Sequence, residues 1–271
     1  CRGFIIPKEV DKDTTAHFLD TVGQFARIVN DTGLVHLRRL VGDEITGTEN
    51  KAGLVEKYFC LSMENTTALE DIELGDDGLR VGDKHVSVHT LSELDALPSK
   101  VGTDCRYERL STDKSDCKLS FASPVGLLLS CNHLYNQYIF LDDSGENLQR
   151  FEKNARNMQS LSKYSRSNQI NKEWIDLYLN DAHSFGLTSV RAHCNIIAWT
   201  DNPMEVKNMR NDVGSQIAMM ECKPRHNTVD AATLYWAAMP GNGADFPAEE
   251  SFYTFIEQAL CFWAVSYTHL T

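Results

Sequence analysis

Histidine and cysteine residues lie close together in the sequence at two places where they could bind a metal ion or act as nucleophiles. Cys131 and His133 are two residues apart, so on a strand both side chains would face one side, whereas the adjacent His193 and Cys194 would point to opposite sides. No Cys-x-x-Cys pair is present. The same residues can also be explained as buried free cysteines and a hydrogen-bonded histidine, and we expect this structural role for them.

A hydrolytic centre could be assembled from Glu221, His226 and Asp230, or from Cys194 with His193. A catalytic triad is defined by geometry, and with 9 histidines and 38 acidic residues some such neighbours occur by chance. The patterns of serine hydrolases (GxSxG), zinc proteases (HExxH) and zinc deaminases are absent. We therefore expect no catalytic, cofactor-binding or metal-binding residues in this chain.

Nucleotide-binding loops are also missing from the sequence. The phosphate-binding pattern GxxxxGK[ST] requires a glycine followed by lysine, and none of the 16 glycines is followed by one. The dinucleotide pattern GxGxxG does not occur either. The sequence thus excludes both common ways of holding a nucleotide phosphate on backbone amides.

Charge is distributed unevenly along the chain. The 26 basic and 38 acidic residues give a net charge of −12, which argues against a general nucleic-acid surface. Residues 144–172 are the exception, because they carry only two acidic residues, Glu146 and Glu152, and six basic ones: Arg150, Lys153, Arg156, Lys163, Arg166 and Lys172. We expect a solvated or partner-facing helix there and no direct nucleic-acid binding.

The apolar pattern predicts the elements that must carry these residues. Recurrence at three- and four-residue steps predicts helices over residues 14–33, 43–61, 171–185, 203–213 and 229–239, with another opening at Asp142 to Ser144. Strands are predicted over residues 34–41, 117–129, 133–141, 188–199 and 215–222, and a hairpin turns at Gly82-Asp83. Residues 98–115 are rich in helix- and strand-breaking residues and predict a loop.

This order of elements indicates an α+β protein with two mixed α/β lobes, residues 1–142 and 143–247. The second lobe contains the long helices, and the strand–helix–strand order over residues 188–222 predicts a βαβ-like unit. Beyond it, residues 252–263 place Phe252, Phe255, Ile256, Leu260, Phe262 and Trp263 at spacings that would bring most of them to one side of a helix.

Several stretches resemble a known family. They are ENKAGLVEKYFCLS (residues 49–62), LSFASPVGLLLSCNHLYNQYIFLDD (119–143), FEKNARNMQSLSKYSRSNQINKEWIDLYLNDAH (151–183), MECKPRHNTVD (220–230), LYWAAMPGN (234–242) and DFPAEESFYTFIEQAL (245–260). Together they resemble the TraG-type conjugative-transposon ATPases of Bacteroidetes. These belong to the VirB-type ATPases of type IV secretion, and the resemblance covers nearly the whole chain.

The resemblance implies that this chain is an accessory amino-terminal fragment without the ATP-binding motor. In the family, ATP and Mg²⁺ are bound beyond the position of Leu260, so no catalytic or cofactor residue transfers to this chain. Residues 248–271 would be a truncated connection toward the motor, its apolar side left exposed, with the last residues (SYTHLT) artefactual.

The role implied by the resemblance is docking and assembly. The partners would be inner-membrane components of a conjugation apparatus, the full-length protein would be a homo-oligomer, and the location would be cytoplasmic and peripheral to the inner membrane. Two alternatives remain open: a stand-alone metal-dependent hydrolase that uses Cys131, His133 and His193, and an adaptor that has no motor.

The missing phosphate loop leads to the first prediction. Without clustered backbone amides and a lysine, nothing offsets the charge of a triphosphate on a chain of net charge −12. Titration calorimetry of the chain with MgATP should therefore give no heat of binding. Micromolar affinity would contradict this interpretation.

Overall fold

The computed structural model describes residues 11–262 except 34–35, 63, 65–68, 77, 93–95, 99–100, 102–103, 107–110 and 162. Helices and an antiparallel sheet occur together, so the expected α+β class is confirmed. Among the described residues, no helix has both the length and the apolar character that crossing a bilayer requires.

Two compact units share the chain in interleaved segments. The first holds the chain up to Val88 together with Trp199–Val206 and Asn227–Pro247. The second holds His89–Ala198, Lys207–His226 and the chain from Ala248 onward. The expected division into consecutive lobes, residues 1–142 and 143–247, stays a prediction about domains.

The first unit begins with three helices and a strand meander. The helices are α1 (Lys12–Asp31), α2 (Gly42–Thr46) and α3 (Leu54–Phe59), and the antiparallel strands are β1 (Ile72–Gly75), β2 (Gly78–Val81) and β3 (Lys84–Leu91), whose last three residues belong to the second unit. The expected hairpin is confirmed: Val81 pairs with Lys84, and Gly82 takes the positive φ of 57° that the tight turn requires.

Three details of the first unit differ from expectation. The single helix expected over residues 43–61 is wrong, because α2 ends at Thr46, α3 begins only at Leu54, and Gly47 between them takes a φ of 80°. Helix α1 begins earlier than residue 14, because Asp11 is its cap and accepts a hydrogen bond from the Thr14 amide at 2.7 Å. The strand expected over residues 34–41 is wrong in its described part, since residues 36–41 have no strand pairing. Here Asn30 of α1 bonds both the amide and the carbonyl of Leu37, which replaces the pairing that a strand would need.

Helix α8 (Ala231–Ala238) supplies much of the core of the first unit. Leu234, Tyr235 and Ala237 are buried, and the Tyr235 hydroxyl donates to the carbonyl of Tyr58. Trp236 packs edge-on against Phe59 and donates its indole N–H to Asp245. The helix expected over residues 229–239 is thereby confirmed.

The second unit is built around a long buried strand, β7 (Ser189–Thr200), whose last two residues belong to the first unit. In the sheet β7 lies between β3 and β6 (Asn132–Phe140), pairs antiparallel with β9 (Phe252–Phe255), and β8 (Arg225–Asn227) pairs with β3. A separate ribbon joins β4 (Asp104–Arg106) to β5 (Lys118–Ser120). The strands expected over residues 133–141 and 188–199 are confirmed.

The helices of the second unit are α4 (Ser123–Leu127), α5 (Ser144–Leu161), α6 (Arg166–Phe185), α7 (Val206–Met219) and α9 (Ile256–Cys261). The expected helix end at Gly186 is confirmed, because this glycine takes the left-handed φ of 63°. The strand expected over residues 117–129 is wrong beyond Ser120, where Pro124 lies in the first turn of α4.

The strand expected over residues 215–222 is also wrong. These residues continue helix α7 as far as Met219, because Met209, Val213 and Ile217 recur every four residues and are all buried on one side. A turn follows, and strand pairing resumes only at Arg225, in β8. The strand–helix–strand order therefore holds with its last strand later than expected.

The expectation of one exposed apolar helix over residues 252–263 is wrong for its described part. Phe252 and Phe255 are buried in β9, which satisfies its backbone groups against β7, and only residues from Ile256 onward are helical. Phe262 is buried as well, whereas Leu260 is 46% exposed. The apolar residues are thus largely satisfied within the unit, and Trp263 lies outside the described residues.

This burial predicts a large loss of stability when Phe255 is truncated. Its ring is 2% exposed and stacks on Tyr178 with centroids 4.3 Å apart. Phe255→Ala should lower the free energy of unfolding by about 3–5 kcal/mol in urea titrations. The control Leu260→Ala should change it by only about 0.5 kcal/mol, and equal losses would show that β9 is not part of the core.

Candidate functional site

One face of β7 carries a row of four polar residues. Ser189, Arg191, His193 and Asn195 alternate along the strand, so their side chains point to the same side of the sheet. The residues between them, Val190, Ala192, Cys194 and Ile196, are buried and apolar. We call the four polar residues the polar ladder, and each bonds a different part of the second unit.

His193 and Asn195 form a buried hydrogen-bond chain. Asn136 of β6 donates to the Asn195 side-chain oxygen at 2.8 Å, and the Asn195 amide donates to His193 Nε2 at 3.0 Å. This assignment places the ring proton on Nδ1, which donates to the carbonyl of Glu250 at 2.6 Å. Burial lowers the pKa of His193 to about 4, so the ring is neutral at pH 7.

Arg191 joins the end of β6 to the segment before β9. Its guanidinium makes a two-pronged salt bridge with Asp142 at 2.5 and 3.1 Å and donates to the Ser251 hydroxyl at 3.1 Å. It also lies over the Phe140 ring, 4.9 Å from the centroid. These contacts fix the start of α5 relative to β7.

Ser189 connects the first rung of the ladder to both long helices. Its amide donates to Ser144 Oγ at 3.0 Å, and its hydroxyl accepts from the Tyr178 hydroxyl of α6 at 2.8 Å. Phe151 of α5 contacts Tyr178 and Tyr253, with ring centroids 4.8 and 4.9 Å away. The bases of α5 and α6 are therefore held against the sheet by polar and aromatic contacts together.

Beside the ladder lies an open cleft of about 670 Å³. It is lined by four carboxylates, two guanidinium groups and small polar side chains: Asp142, Asp143, Glu146, Asn147, Arg150, Arg191, Ala248, Glu249, Ser251 and Tyr253. Both arginines already have partners in the unit: Arg191 is paired with Asp142, and Arg150 donates to the Tyr253 hydroxyl at 2.7 Å.

Among the described residues that line the cleft there is no histidine or cysteine. The Ser251 hydroxyl accepts from Arg191 and donates its proton to the carbonyl of Ala248, which is not a base that could activate it. Asp143 accepts the Glu146 amide and thereby caps α5. Most of the polar groups that line the cleft are thus engaged in hydrogen bonds that hold the unit together.

The histidine and cysteine residues considered for metal binding have structural contacts. His133 Nδ1 contacts the carbonyl of Cys131, and both ring nitrogens of His193 are engaged. Burial raises the pKa of the Cys194 thiol to about 12, which disfavours the thiolate that a metal needs. Across the described part of the chain, no group of three His, Cys, Asp or Glu side chains is arranged to hold a metal ion.

Glu221, His226 and Asp230 have separate surroundings. The His226 ring lies 5.3 Å from that of His89, the Asp230 amide donates to Asn227, and exposed Glu221 follows α7 with a φ of 58°. These contacts do not include a nucleophile beside a base, which a triad requires.

The basic segment forms a helical hairpin made of α5, α6 and the connection between them. Three of its cations have partners among the described residues, since Arg150 bonds Tyr253, Lys172 pairs with Asp176 at 2.5 Å, and Arg156 donates to the carbonyl of Glu152 at 3.3 Å. Lys153, Arg156, Lys163 and Arg166 are exposed. The base of the hairpin is thus tied to the unit, while its far end carries accessible positive charge.

Apolar side chains are exposed on the same hairpin. Ile170, Trp174 and Leu177 of α6 are 44%, 63% and 56% exposed and lie four and three residues apart, so they form a stripe on one side of the helix. Tyr178 and Ala182 occupy the side of α6 that packs inward. We call Ile170, Trp174 and Leu177 the outer stripe.

Comparison with known proteins gives no relative: no protein-family model matches the chain, and no curated protein matches it.

Sequence reasoning missed the polar ladder. The signal was present as Ser-x-Arg-x-His-x-Asn over residues 189–195, a period of two inside an otherwise apolar strand. Apart from Tyr178, which is 11 positions from Ser189, their partners on other elements lie 45 to 60 positions away along the chain, and no local pattern pairs them.

The buried imidazoles predict a stability that depends on pH. Burial lowers the folded-state pKa of His193 and of His89 to about 4 from an ordinary value of 6.5, so only the unfolded chain takes up these protons as the pH falls between the two values. The free energy of unfolding should therefore fall by up to about 3 kcal/mol for each ring between pH 6.5 and 4.

Urea titrations at a series of pH values measure how steeply the free energy of unfolding changes with pH. His193→Gln should make this pH dependence less steep, whereas substitution of an exposed histidine, His17→Gln, should leave it unchanged. Identical slopes in both variants would contradict the assignment of this proton uptake to His193.

Proposed function

We propose that this chain is the non-catalytic amino-terminal region of a TraG-type conjugation ATPase, and that it docks the enzyme on the type IV secretion machinery. The observation that carries the proposal is the α5–α6 hairpin, which exposes an apolar stripe and several cations from a base anchored in the unit. Exposed apolar patches beside polar residues are typical of protein or membrane contact sites.

The contacts of the reactive side chains support docking over catalysis. His193, Arg191 and Ser251 all serve hydrogen bonds inside the second unit, and the Cys194 thiol is buried. Trp174, by contrast, has 63% of its surface in solvent, although tryptophan is among the residues that contribute most when an interface forms. In this proposal ATP and Mg²⁺ belong to the motor of the full-length protein.

The location and partners follow from the same proposal. The chain would lie on the cytoplasmic side and be peripheral to the inner membrane, in contact with inner-membrane components of the conjugation apparatus. The full-length enzyme would be a homo-oligomer. Within the described part of this chain, the far end of the hairpin is accessible to such partners, because the contacts with the ladder and the aromatic rings are made at its base.

A transfer assay tests the docking role. Trp174→Ala in the full-length gene should lower the frequency of conjugative transfer roughly tenfold or more, because truncating a central tryptophan removes a large share of the binding energy of an interface. The purified variant chain should keep the wild-type melting temperature, since the side chain is exposed.

Met204→Ala is the matched control, because Met204 is 84% exposed and lies outside the hairpin. Its transfer frequency should equal that of the wild type. Unchanged transfer in Trp174→Ala, with the protein present at its normal level, would overturn the proposed function of the hairpin.

A further inference from the structure

The far end of the hairpin combines positive charge with a complete lack of carboxylates. Residues 156–172, which we call the hairpin tip, contain Arg156, Lys163, Arg166 and Lys172 and none of the 38 acidic residues of the chain. Lys172 is paired with Asp176, and the other three cations are exposed. The rest of the tip is mostly Ser, Asn and Gln, which are polar but uncharged.

Large apolar side chains are exposed at the same place. Tyr164 is 84% exposed, and Leu161 and Ile170 are 43% and 44% exposed. At 1.5 Å per residue, Leu161 at the end of α5 lies about 15 Å along the helix from the anchoring Phe151, and Arg166 at the start of α6 lies about 18 Å from Tyr178. The tip is thus a protruding end with an aromatic ring between cations.

We propose that the hairpin tip binds an anionic lipid bilayer, an inference that rests on the docking role proposed above and names its partner. Weak peripheral binding becomes stable when a basic cluster and inserted apolar groups act together, and the tip supplies both. Tyrosine suits the headgroup region because its ring is apolar and its hydroxyl is polar.

The charge of the remaining chain orients this contact. With the whole chain at −12 and the tip at +4, the residues outside the tip carry −16, and an anionic surface repels them. The tip can therefore approach such a surface more closely than the acidic remainder. The base of the hairpin favours the same orientation, because the carboxylates that line the cleft there are repelled by an anionic surface: Asp142, Asp143, Glu146 and Glu249.

The shape of the tip favours a bilayer over an acidic protein segment. Sites that recognise acidic peptides cluster arginines around a groove. Here the exposed cations lie along a protruding helix end, with exposed Leu161 and Tyr164 between them in sequence. A laterally extended surface of negative headgroups fits this arrangement.

Vesicle co-sedimentation of the full 271-residue chain tests the inference. The chain should bind vesicles of phosphatidylcholine mixed with phosphatidylglycerol, bind pure phosphatidylcholine vesicles far more weakly, and dissociate as salt is raised. Lys163→Glu combined with Arg166→Glu should weaken binding about 25-fold or more, because each cation near the surface contributes about fivefold. Tyr164→Ser should weaken binding at constant charge.

The matched control is Lys114→Glu combined with Lys207→Glu, which changes the net charge equally at exposed sites outside the hairpin. This variant should bind more tightly than the tip variant, and circular dichroism should show that both are folded. Equal weakening in the two variants, equal binding to neutral vesicles, or no binding by the wild-type chain would each overturn the lipid proposal.

The transfer assay separates this inference from the function on which it rests. If the tip variant loses transfer although the wild-type chain does not bind vesicles, the docking role stands, the lipid proposal fails, and an acidic protein becomes the partner. If vesicles bind but neither the tip variant nor Trp174→Ala affects transfer, the lipid contact stands and the proposed function fails.

Discussion

The second unit depends on one face of a buried strand. Along β7, Ser189, Arg191, His193 and Asn195 each bond a different element, so the start of α5, helix α6, strand β6 and the segment before β9 are fixed to one strand. Buried polar groups cost stability unless their hydrogen bonds are made, so these elements must keep the positions that complete the network. The opposite face of β7 contributes apolar burial without such selectivity.

The same network determines where activity can reside. Both ring nitrogens of His193 are hydrogen-bonded and Arg191 is held by a carboxylate, so these two groups contribute to the packing of the unit. The network also ends at the base of the hairpin, because Ser144, Phe151 and Tyr178 are its last contacts on α5 and α6. The unit therefore combines a firmly bonded centre with two long helices whose far ends are exposed.

The sequence predicted those elements whose signals are local. Glycine at positive φ indicates the hairpin at Gly82 and the end of α6 at Gly186, and the apolar periodicity indicates strand β7. The strand expected over residues 215–222 failed because the helical period of Val213 and Ile217 continues into it. Strand β9 was missed because its short apolar run is compatible with both the helical period and the strand period. Its pairing with β7 decides in favour of a strand. The polar ladder was missed because its meaning lies in partners distant along the chain.

Native-state hydrogen exchange tests the central claim most directly, because it reads opening residue by residue. If the ladder holds the unit together, the amides of β7, β9 and the first turns of α5 should exchange through one shared opening with a free energy close to that of global unfolding. Amides at the far end of the hairpin should exchange much faster in the isolated chain. Separate opening of β9 from β7, or a hairpin end protected as well as β7, would contradict the account.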